Sequence, residues 1–226
     1  LGEDSVDQRA VAELVGVDVT RADPLEVQRA KADAGVAAEL RDLAESATEG
    51  EPRELVVRLE GRFVGVEADE VGELLAASRT EHGISAPARE RFRMDVLRRF
   101  YEDYGVRLGG QAYRNFEEVE RALRREGLLT RFLNRTWPLP KPEQVVRRLS
   151  VMGRSRRGWS DADLPLLDEA RALLLGPPQQ YGHVIVDEAQ DLTPMQLRMV
   201  ARRAGGTFTM LGDIAQATGP ISYGRW

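Results

Sequence analysis

The sequence contains no cysteine, and histidine occurs only twice, at His82 and His183. Disulfide bonds, thiolate metal sites and histidine-rich metal sites are therefore excluded. No apolar run approaches the roughly 20 residues that a membrane-spanning helix requires. The lack of cysteine is compatible with a reducing compartment, so we expect a cytoplasmic protein without membrane contact.

A phosphate-binding loop of the form G-x-x-x-x-G-K-[ST] is also missing. The paired glycines at 109 and 110 are followed by glutamine and lack both the lysine and its context. The chain starts at Leu1 with neither an initiator methionine nor a signal peptide, so we expect a piece of a longer protein.

Charge is distributed unevenly along the 226 residues, although the formal net charge is only −5. Residues 1–88 carry a net charge of −11, residues 89–157 of +9, and residues 158–226 of −3. A basic block of this kind favours a polyanionic or acidic partner. Arginine-rich helix faces in contact with water explain the block equally well.

Local patterns predict a mostly helical middle region. Asp23 and Pro24 are typical of a helix start, and we expect that helix to continue to about Ser46. Alternation over 55–59 and 63–66, around the turn at Glu60-Gly61, predicts a β-hairpin. Helices are predicted at 69–80, 87–104, 116–126 and 128–134, with an apolar stripe of core residues at Phe92, Val96, Phe100 and Tyr104.

The last third changes to an alternation of strands and helices. Pro142 begins one helix, and Ser160 with Asp163 predicts a capping box that begins another. A strand at Val184–Val186, a helix at Pro194–Arg203 and a strand at Thr207–Leu211 then form a β-α-β unit, whose strands should be parallel. The sequence thus predicts an α/β fold with a mostly helical module between its two ends.

Adjacent carboxylates follow the first of these strands, in the stretch VIVDEAQD. Ligands of α/β folds bind at the carboxyl ends of parallel strands, and such an acidic pair suits a metal–phosphate site. Asp187 would hold Mg²⁺ through its water shell, and Glu188 would deprotonate the water that attacks a γ-phosphate. The alternative is an acidic turn exposed to water.

The second strand ends in a similar way, in LGDIAQ. Gly212 allows the backbone to turn close to a ligand, and the strand end continues into Asp213. The Gln216 amide can contact a phosphate oxygen and still form a second hydrogen bond. This short pattern indicates a phosphate-binding site only because it comes about 25 residues after the acidic strand end, in the neighbouring strand.

VIVDEAQD followed by MLGDIAQ resembles motifs II and III of the UvrD/Rep-like superfamily-one helicases. The resemblance implies a RecA-like P-loop motor domain that binds ATP and Mg²⁺. It implies Asp187 as the Mg²⁺ ligand, Glu188 as catalytic base and Gln190 as a motif II contact. Asp213 would face the nucleotide, and Gln216 would couple the γ-phosphate to the neighbouring surface.

The departures from the family pattern, GDIAQATGP above all, are similar to the HelD/HelR branch, whose members bind RNA polymerase and release it from nucleic acid. That likeness implies three regions: 1–35 and 159–226 as pieces of the motor domain, and 36–158 as a basic insertion that opens the polymerase clamp. Partner contacts would include Arg154, Arg156 and Arg157. A DNA helicase whose middle module contacts DNA remains the alternative, and a binding module with a vestigial ATPase core is a third.

Three further residues have two interpretations each. His183 could be catalytic, but its place just before the strand favours a histidine at the edge of a sheet. Trp137 and Trp159 could stack on bases, although packing at the base of the insertion is favoured.

Without a phosphate loop, the chain alone is predicted not to hydrolyse ATP.

Overall fold

The computed structural model describes residues 15–59, 61–109, 114–152 and 158–219. The chain divides into two compact units. The first unit comprises Leu1–Ala44 and Lys141–Trp226, and the inserted unit comprises Glu45–Pro140. Among the described residues, none of the helices combines the length and apolarity needed to cross a membrane.

The inserted unit contains the predicted hairpin and the four predicted helices. Strands β1 (Leu55–Leu59) and β2 (Arg62–Val66) pair antiparallel, from Leu55 opposite Val66 to Leu59 opposite Arg62. Four helices follow in chain order, α3 (Ala68–His82), α4 (Ala86–Leu108), α5 (Phe116–Arg125) and α6 (Leu128–Thr136). Helix α2 (Val36–Thr48) precedes the hairpin in the chain.

The predicted apolar stripe forms the centre of the inserted unit's core. Phe92, Val96, Phe100 and Tyr104 are all fully buried on α4, because residues four apart lie on one face of a helix. Trp137 is buried against the stripe, with its ring centroid 5.6 Å from that of Phe92. The prediction that Trp137 packs in a core is therefore confirmed.

The predicted long helix from Asp23 is wrong in two respects. The structure has α1 (Leu25–Ala32) and then α2, separated by a break at residues 33–35. Asp23 forms no cap, because Pro24 occupies the N-cap position and the Asp23 carboxylate contacts the Lys31 ammonium instead. The predicted strand at 17–20 is reduced to a single bridge between Val19 and Trp159.

A buried charge network explains why the Asp23 carboxylate pairs with cations and does not cap the helix. The Lys31 Nζ lies 2.6 Å from Asp23 Oδ2 and 2.5 Å from Asp163 Oδ1. Arg21 contacts the other oxygens of both carboxylates, and the Ser160 hydroxyl donates to Asp23. Two cations thus balance two carboxylates within the first unit, as buried charges require.

The remaining elements of the first unit carry the predicted β-α-β order. Helices α7 (Pro142–Val146) and α8 (Leu164–Leu175) come first, and the capping box of Ser160 and Asp163 is present just before α8. Strand β3 (Tyr181–Val186), helix α9 (Pro194–Ala201) and strand β4 (Ala204–Met210) follow. β3 pairs with β4 in parallel, as predicted, in a sheet of two strands within the described chain.

Candidate functional site

The two parallel strands end at the same edge of their sheet, and the backbone ladder extends one step beyond them. The Leu211 N–H donates to the Val186 carbonyl at 2.8 Å, and the Ala189 N–H donates to the Leu211 carbonyl at 2.9 Å. Between the strands, Thr193 begins α9 with a capping box in which its hydroxyl accepts from Gln196 N–H at 3.2 Å. The two loops that carry the acidic residues are therefore held side by side.

Asp187 and Glu188 follow β3 directly, and both side chains are exposed. Glu188 has a φ of 51° and is the sole non-glycine residue with a positive φ in the described chain. This left-handed conformation is costly for a residue with a side chain, and it is found at functional sites more often than elsewhere. Asp187 Oδ1 accepts the Glu188 backbone N–H at 2.9 Å. Both carboxylates thus stand at the strand end, in a locally strained turn.

Gln190 links the two strand ends from a buried position. Its Nε2 donates to Glu188 Oε2 at 2.5 Å, and its Oε1 accepts the Asp213 backbone N–H at 2.9 Å. A Cβ on Gly212 would lie 2.4 Å from that Oε1 atom, so a larger residue would have to displace the amide from this position. The amide therefore spans from the acidic pair to the loop after β4.

The loop after β4 is organised around Asp213. Its Oδ1 accepts the Ala215 N–H at 2.9 Å, and its Oδ2 accepts the Gln216 side-chain amide at 3.0 Å. Glu188, Gln190, Asp213 and Gln216 therefore form one continuous chain of hydrogen bonds. Four of the five residues that the sequence predicts for the nucleotide site are brought together in this way, and Asp187 joins them through the Glu188 N–H.

Asp191, the third carboxylate of the acidic motif, binds the same loop further along the chain, at Thr218 and Gly219. Its carboxylate accepts the Thr218 N–H at 2.7 Å, the Thr218 hydroxyl at 3.1 Å and the Gly219 N–H at 3.0 Å. The Thr218 N–H is the main cause that lowers the pKa of Asp191 below its usual value. The sequence gives little indication of this role for Asp191, because its hydrogen-bond partners lie 27 and 28 residues further along the chain.

The exposed carboxylate of Asp187 fits Mg²⁺ in chemical type. Mg²⁺ prefers oxygen ligands, retains several waters and commonly takes only one or two carboxylates from a protein. Within the described residues, no group of three or more acidic or histidine side chains converges as a metal cage. The donor set therefore suits an ion that is completed by water and phosphate oxygens.

Ion pairs with two buried carboxylates anchor helix α9, which connects β3 to β4. Asp168 and Glu169 of α8 are buried and contact Arg198, Arg202 and Arg203 at the end of α9. Burial raises the pKa of Glu169, but the hydrogen bond from Arg198 and the neighbouring charges outweigh it, so the pKa lies below its usual value. The helix that connects the two strands is thereby anchored at its carboxyl end.

The other predicted site residues fall outside this cluster. Arg154, Arg156 and Arg157 lie outside the described residues. His183 is exposed on β3 and contacts the Thr207 hydroxyl on β4, as a histidine at the sheet surface would. Trp159 is buried in the first unit, with the Arg147 guanidinium 4.1 Å from its ring centroid, so it packs rather than offering a free ring.

The family model for the UvrD/REP helicase N-terminal domain matches residues 66–218 of this chain. The matched segment includes all five predicted nucleotide-site residues and the loops that join them. No curated protein matches the chain. Because the match covers more than half of the 226 residues, the chain belongs to the UvrD/REP helicase family and is part of a superfamily-one helicase-like motor.

Proposed function

We propose that this chain supplies the water-activating part of an ATP-hydrolysing motor, with Glu188 as general base and Asp187 as Mg²⁺ ligand. The observation that carries the proposal is the hydrogen bond at 2.5 Å from buried Gln190 to the Glu188 carboxylate. A general base must be held within hydrogen-bonding reach of its water. Gln190 meets this need because its other end is tied to the backbone of Asp213.

Hydrolysis joins the water oxygen to the γ-phosphorus and breaks the bond from that phosphorus to the bridging oxygen of ADP. Gln190 engages Oε2 of Glu188, so Oε1 accepts the proton that the water loses. When bound, Mg²⁺ neutralises charge on the phosphate oxygens. The Gln216 amide, which donates to Asp213 here, can donate to a γ-phosphate oxygen instead. This change of partner would couple the binding of the γ-phosphate to the conformation of the loop.

The Glu188→Gln variant of the intact motor tests this assignment. It should bind ATP with Mg²⁺ and hydrolyse it at least ~100-fold more slowly, since an amide cannot accept the proton. Glu26→Gln is the matched control, because Glu26 is an exposed carboxylate on α1. Phosphate release at near wild-type rate by Glu188→Gln would refute the role of Glu188.

We propose further that residues 1–226 alone do not hydrolyse ATP, because the sequence has no phosphate-binding loop. Purified chain, incubated with ATP and Mg²⁺, should release phosphate no faster than buffer. Release that disappears in the Glu188→Gln variant would contradict this proposal.

The β3–β4 pair is proposed to be part of a wider RecA-like parallel sheet in a motor domain formed by residues 1–35 and 159–226, with 36–158 as the insertion between them. Ile185 is 62% exposed and Leu211 is 52% exposed, whereas parallel sheets are normally covered on both faces. Amides of β3 should therefore exchange with deuterium more slowly in the intact motor than in this chain. Equal exchange in both proteins would contradict the wider sheet.

For the whole protein, we propose a motor of the HelD/HelR type that binds RNA polymerase and releases it from nucleic acid. The middle region, predicted as 36–158, would act as the wedge. Two features support this proposal. The middle region contains the basic block, and the inserted unit within it has a hydrophobic core of its own. A wedge requires such a core, because it must keep its shape under load.

The pairing of the basic side chains favours a protein partner over a DNA backbone. Most arginines of α4 and α5 already contact carboxylates of their own unit, which leaves less positive charge to neutralise phosphates. These arginines are Arg93, Arg98, Arg99, Arg107, Arg121 and Arg124. The same unit exposes two apolar side chains, Phe63 at 66% and Val106 at 82%, which suit a protein surface.

A DNA helicase of the UvrD/Rep type is the second candidate, and the family match favours it. The two candidates differ in what they bind and in what stimulates ATP hydrolysis. A polymerase-releasing motor should co-sediment with RNA polymerase without ATP, and its DNA binding should fall steeply with salt. A helicase should bind single-stranded DNA tightly and hydrolyse ATP faster in its presence.

Reversing the charge of Arg154, Arg156 and Arg157 to glutamate separates partner binding from hydrolysis. In the intact motor, the triple variant should bind RNA polymerase more weakly and retain its basal ATP hydrolysis. Strong stimulation by single-stranded DNA, with no polymerase complex, would support the helicase and overturn the preferred candidate.

A further inference from the structure

Two consecutive residues of the acidic motif reach opposite ends of the loop after β4. Gln190 accepts the N–H of Asp213, where the loop begins. Asp191 accepts two hydrogen bonds from Thr218 and one from the N–H of Gly219, five and six residues beyond Asp213. The segment between these attachment points is the one that carries Gln216.

The loop approaches the acidic motif closely at both attachment points, through the Gln190 side chain at Gly212 and the Asp191 backbone at Gly219. A Cβ at position 212 would lie 2.4 Å from the Gln190 amide oxygen, and a Cβ at 219 would lie 2.8 Å from the Asp191 carbonyl oxygen. Glycine occupies both positions, so the loop lies directly against the acidic motif at each end. Two such contacts, seven residues apart, restrict the loop far more than one would.

We infer that Asp191 is a positioning residue, which together with Gln190 clamps the loop on both sides of Gln216 and so sets the place of Gln216 relative to Glu188. The role in hydrolysis rests on the proposed function above, whereas the clamp itself does not. The Asp191 backbone N–H donates to the Glu188 carbonyl at 3.0 Å, whereas its carboxylate acts on Gln216 only indirectly, through Thr218 and Gly219.

The chemistry of the attachment explains why a carboxylate is used. An ionised carboxylate accepts several N–H and O–H donors at once, and hydrogen bonds to it are stronger than those between neutral groups. An aspartate is already ionised at neutral pH, and the donors from Thr218 and Gly219 lower the pKa of Asp191 further. An asparagine would retain one acceptor oxygen and lose the charge, so it should hold the loop less firmly.

Amide hydrogen exchange by NMR on this chain tests the clamp without any ATP. In Asp191→Ala, the Thr218 and Gly219 amides should exchange roughly 3- to 10-fold faster, the factor that one hydrogen bond supplies. The Asp213 amide should be unchanged. Gln190→Ala should give the reverse pattern, and Asp191→Asn should have a smaller effect than Asp191→Ala.

Two exchange results would overturn the clamp. Wild-type exchange of Thr218 and Gly219 in Asp191→Ala would mean that the carboxylate does not hold them. Equal acceleration of Asp213 would mean general loosening rather than separate attachments. Thr218→Val removes only the hydroxyl bond, so it should fold normally and accelerate exchange less than Asp191→Ala.

The intact motor tests the consequence for hydrolysis. Asp191→Asn should lower kcat roughly 10- to 100-fold, as displacement of a reacting group does, and change the KM for ATP less than twofold. Asp161→Asn is the matched control, since Asp161 is an exposed carboxylate of the first unit. Wild-type kcat in Asp191→Asn, with Glu188→Gln inactive, would refute the positioning role. Full turnover in Glu188→Gln would instead refute the proposed function and leave the exchange pattern intact.

Discussion

Replacement of Lys31 by methionine is the most direct test of the buried charge network. The Lys31 side chain is 1% exposed, and its two partners Asp23 and Asp163 are 2% and 0% exposed. Methionine fills nearly the same volume as the lysine stem, so the variant removes the charge with little change in packing. Two buried carboxylates then share the single cation of Arg21.

The expected loss follows from what remains after the substitution. Removal of one partner from a buried ion pair costs about 3–5 kcal/mol, because a desolvated charge is left behind. Arg21 still contacts Asp23 at 2.5 Å and Asp163 at 2.8 Å, and Ser160 still donates to Asp23. We therefore expect the lower end, about 3 kcal/mol, which is a large fraction of the roughly 5–15 kcal/mol of a typical domain.

Urea unfolding, followed through peptides of the first unit by hydrogen exchange, measures this loss. A change of about 3 kcal/mol lowers the midpoint by about 1–3 M urea. Arg41→Met is the matched control, since Arg41 is exposed on α2, and it should shift stability by less than about 0.5 kcal/mol. Adding Asp163→Asn to Lys31→Met should restore part of the stability, because one cation then faces one carboxylate. A loss below about 1 kcal/mol for Lys31→Met would refute the assumed role of the buried charges.

Three further perturbations have defined outcomes. Burial raises the pKa of Asp23, but hydrogen bonds from Lys31 and Ser160 and nearby charges lower it more. The stability that Asp23 contributes should therefore be complete above about pH 4 and be lost as the pH falls through the lowered pKa. An acid titration of the unfolding free energy measures this loss. Phe92→Ala should cost about 3–5 kcal/mol of inserted-unit stability in urea, because Phe92 is fully buried. Gly50→Ala should lower the melting temperature of the inserted unit, because its Cβ would lie 2.2 Å from the Arg135 carbonyl oxygen.

Features that depend on neighbouring residues could be predicted from the sequence. The hairpin needs only alternation and a glycine turn, and α4 needs only apolar residues four apart, so both were located within a few residues. The parallel pairing of β3 and β4 follows from the strand–helix–strand order. The acidic strand end and the second strand end were placed side by side for the same reason.

Features that depend on distant residues could not be predicted. Asp23 next to Pro24 is typical of a helix cap, yet its carboxylate is paired with a lysine eight residues later and joined to Asp163 through that lysine. A helix cap contributes about 1 kcal/mol to stability. Leaving the buried Lys31 ammonium without its carboxylate partners would cost more than that, so Asp23 pairs with Lys31. Asp191 was passed over for the same reason, because its partners at Thr218 and Gly219 are distant in the chain.

The three carboxylates of the acidic motif illustrate how the fold tolerates like charges at one strand end. Asp187 accepts a backbone N–H, Glu188 accepts the Gln190 amide, and Asp191 accepts donors from Thr218 and Gly219. Each carboxylate has a neutral donor of its own, and within the described chain none of the three forms a salt bridge with lysine or arginine. Neutral donors orient the carboxylates without cancelling their negative charge, which is what the proposed Mg²⁺ role of Asp187 requires. In the proposed function, the same residues that hold the loops together would thereby leave the strand end available to Mg²⁺.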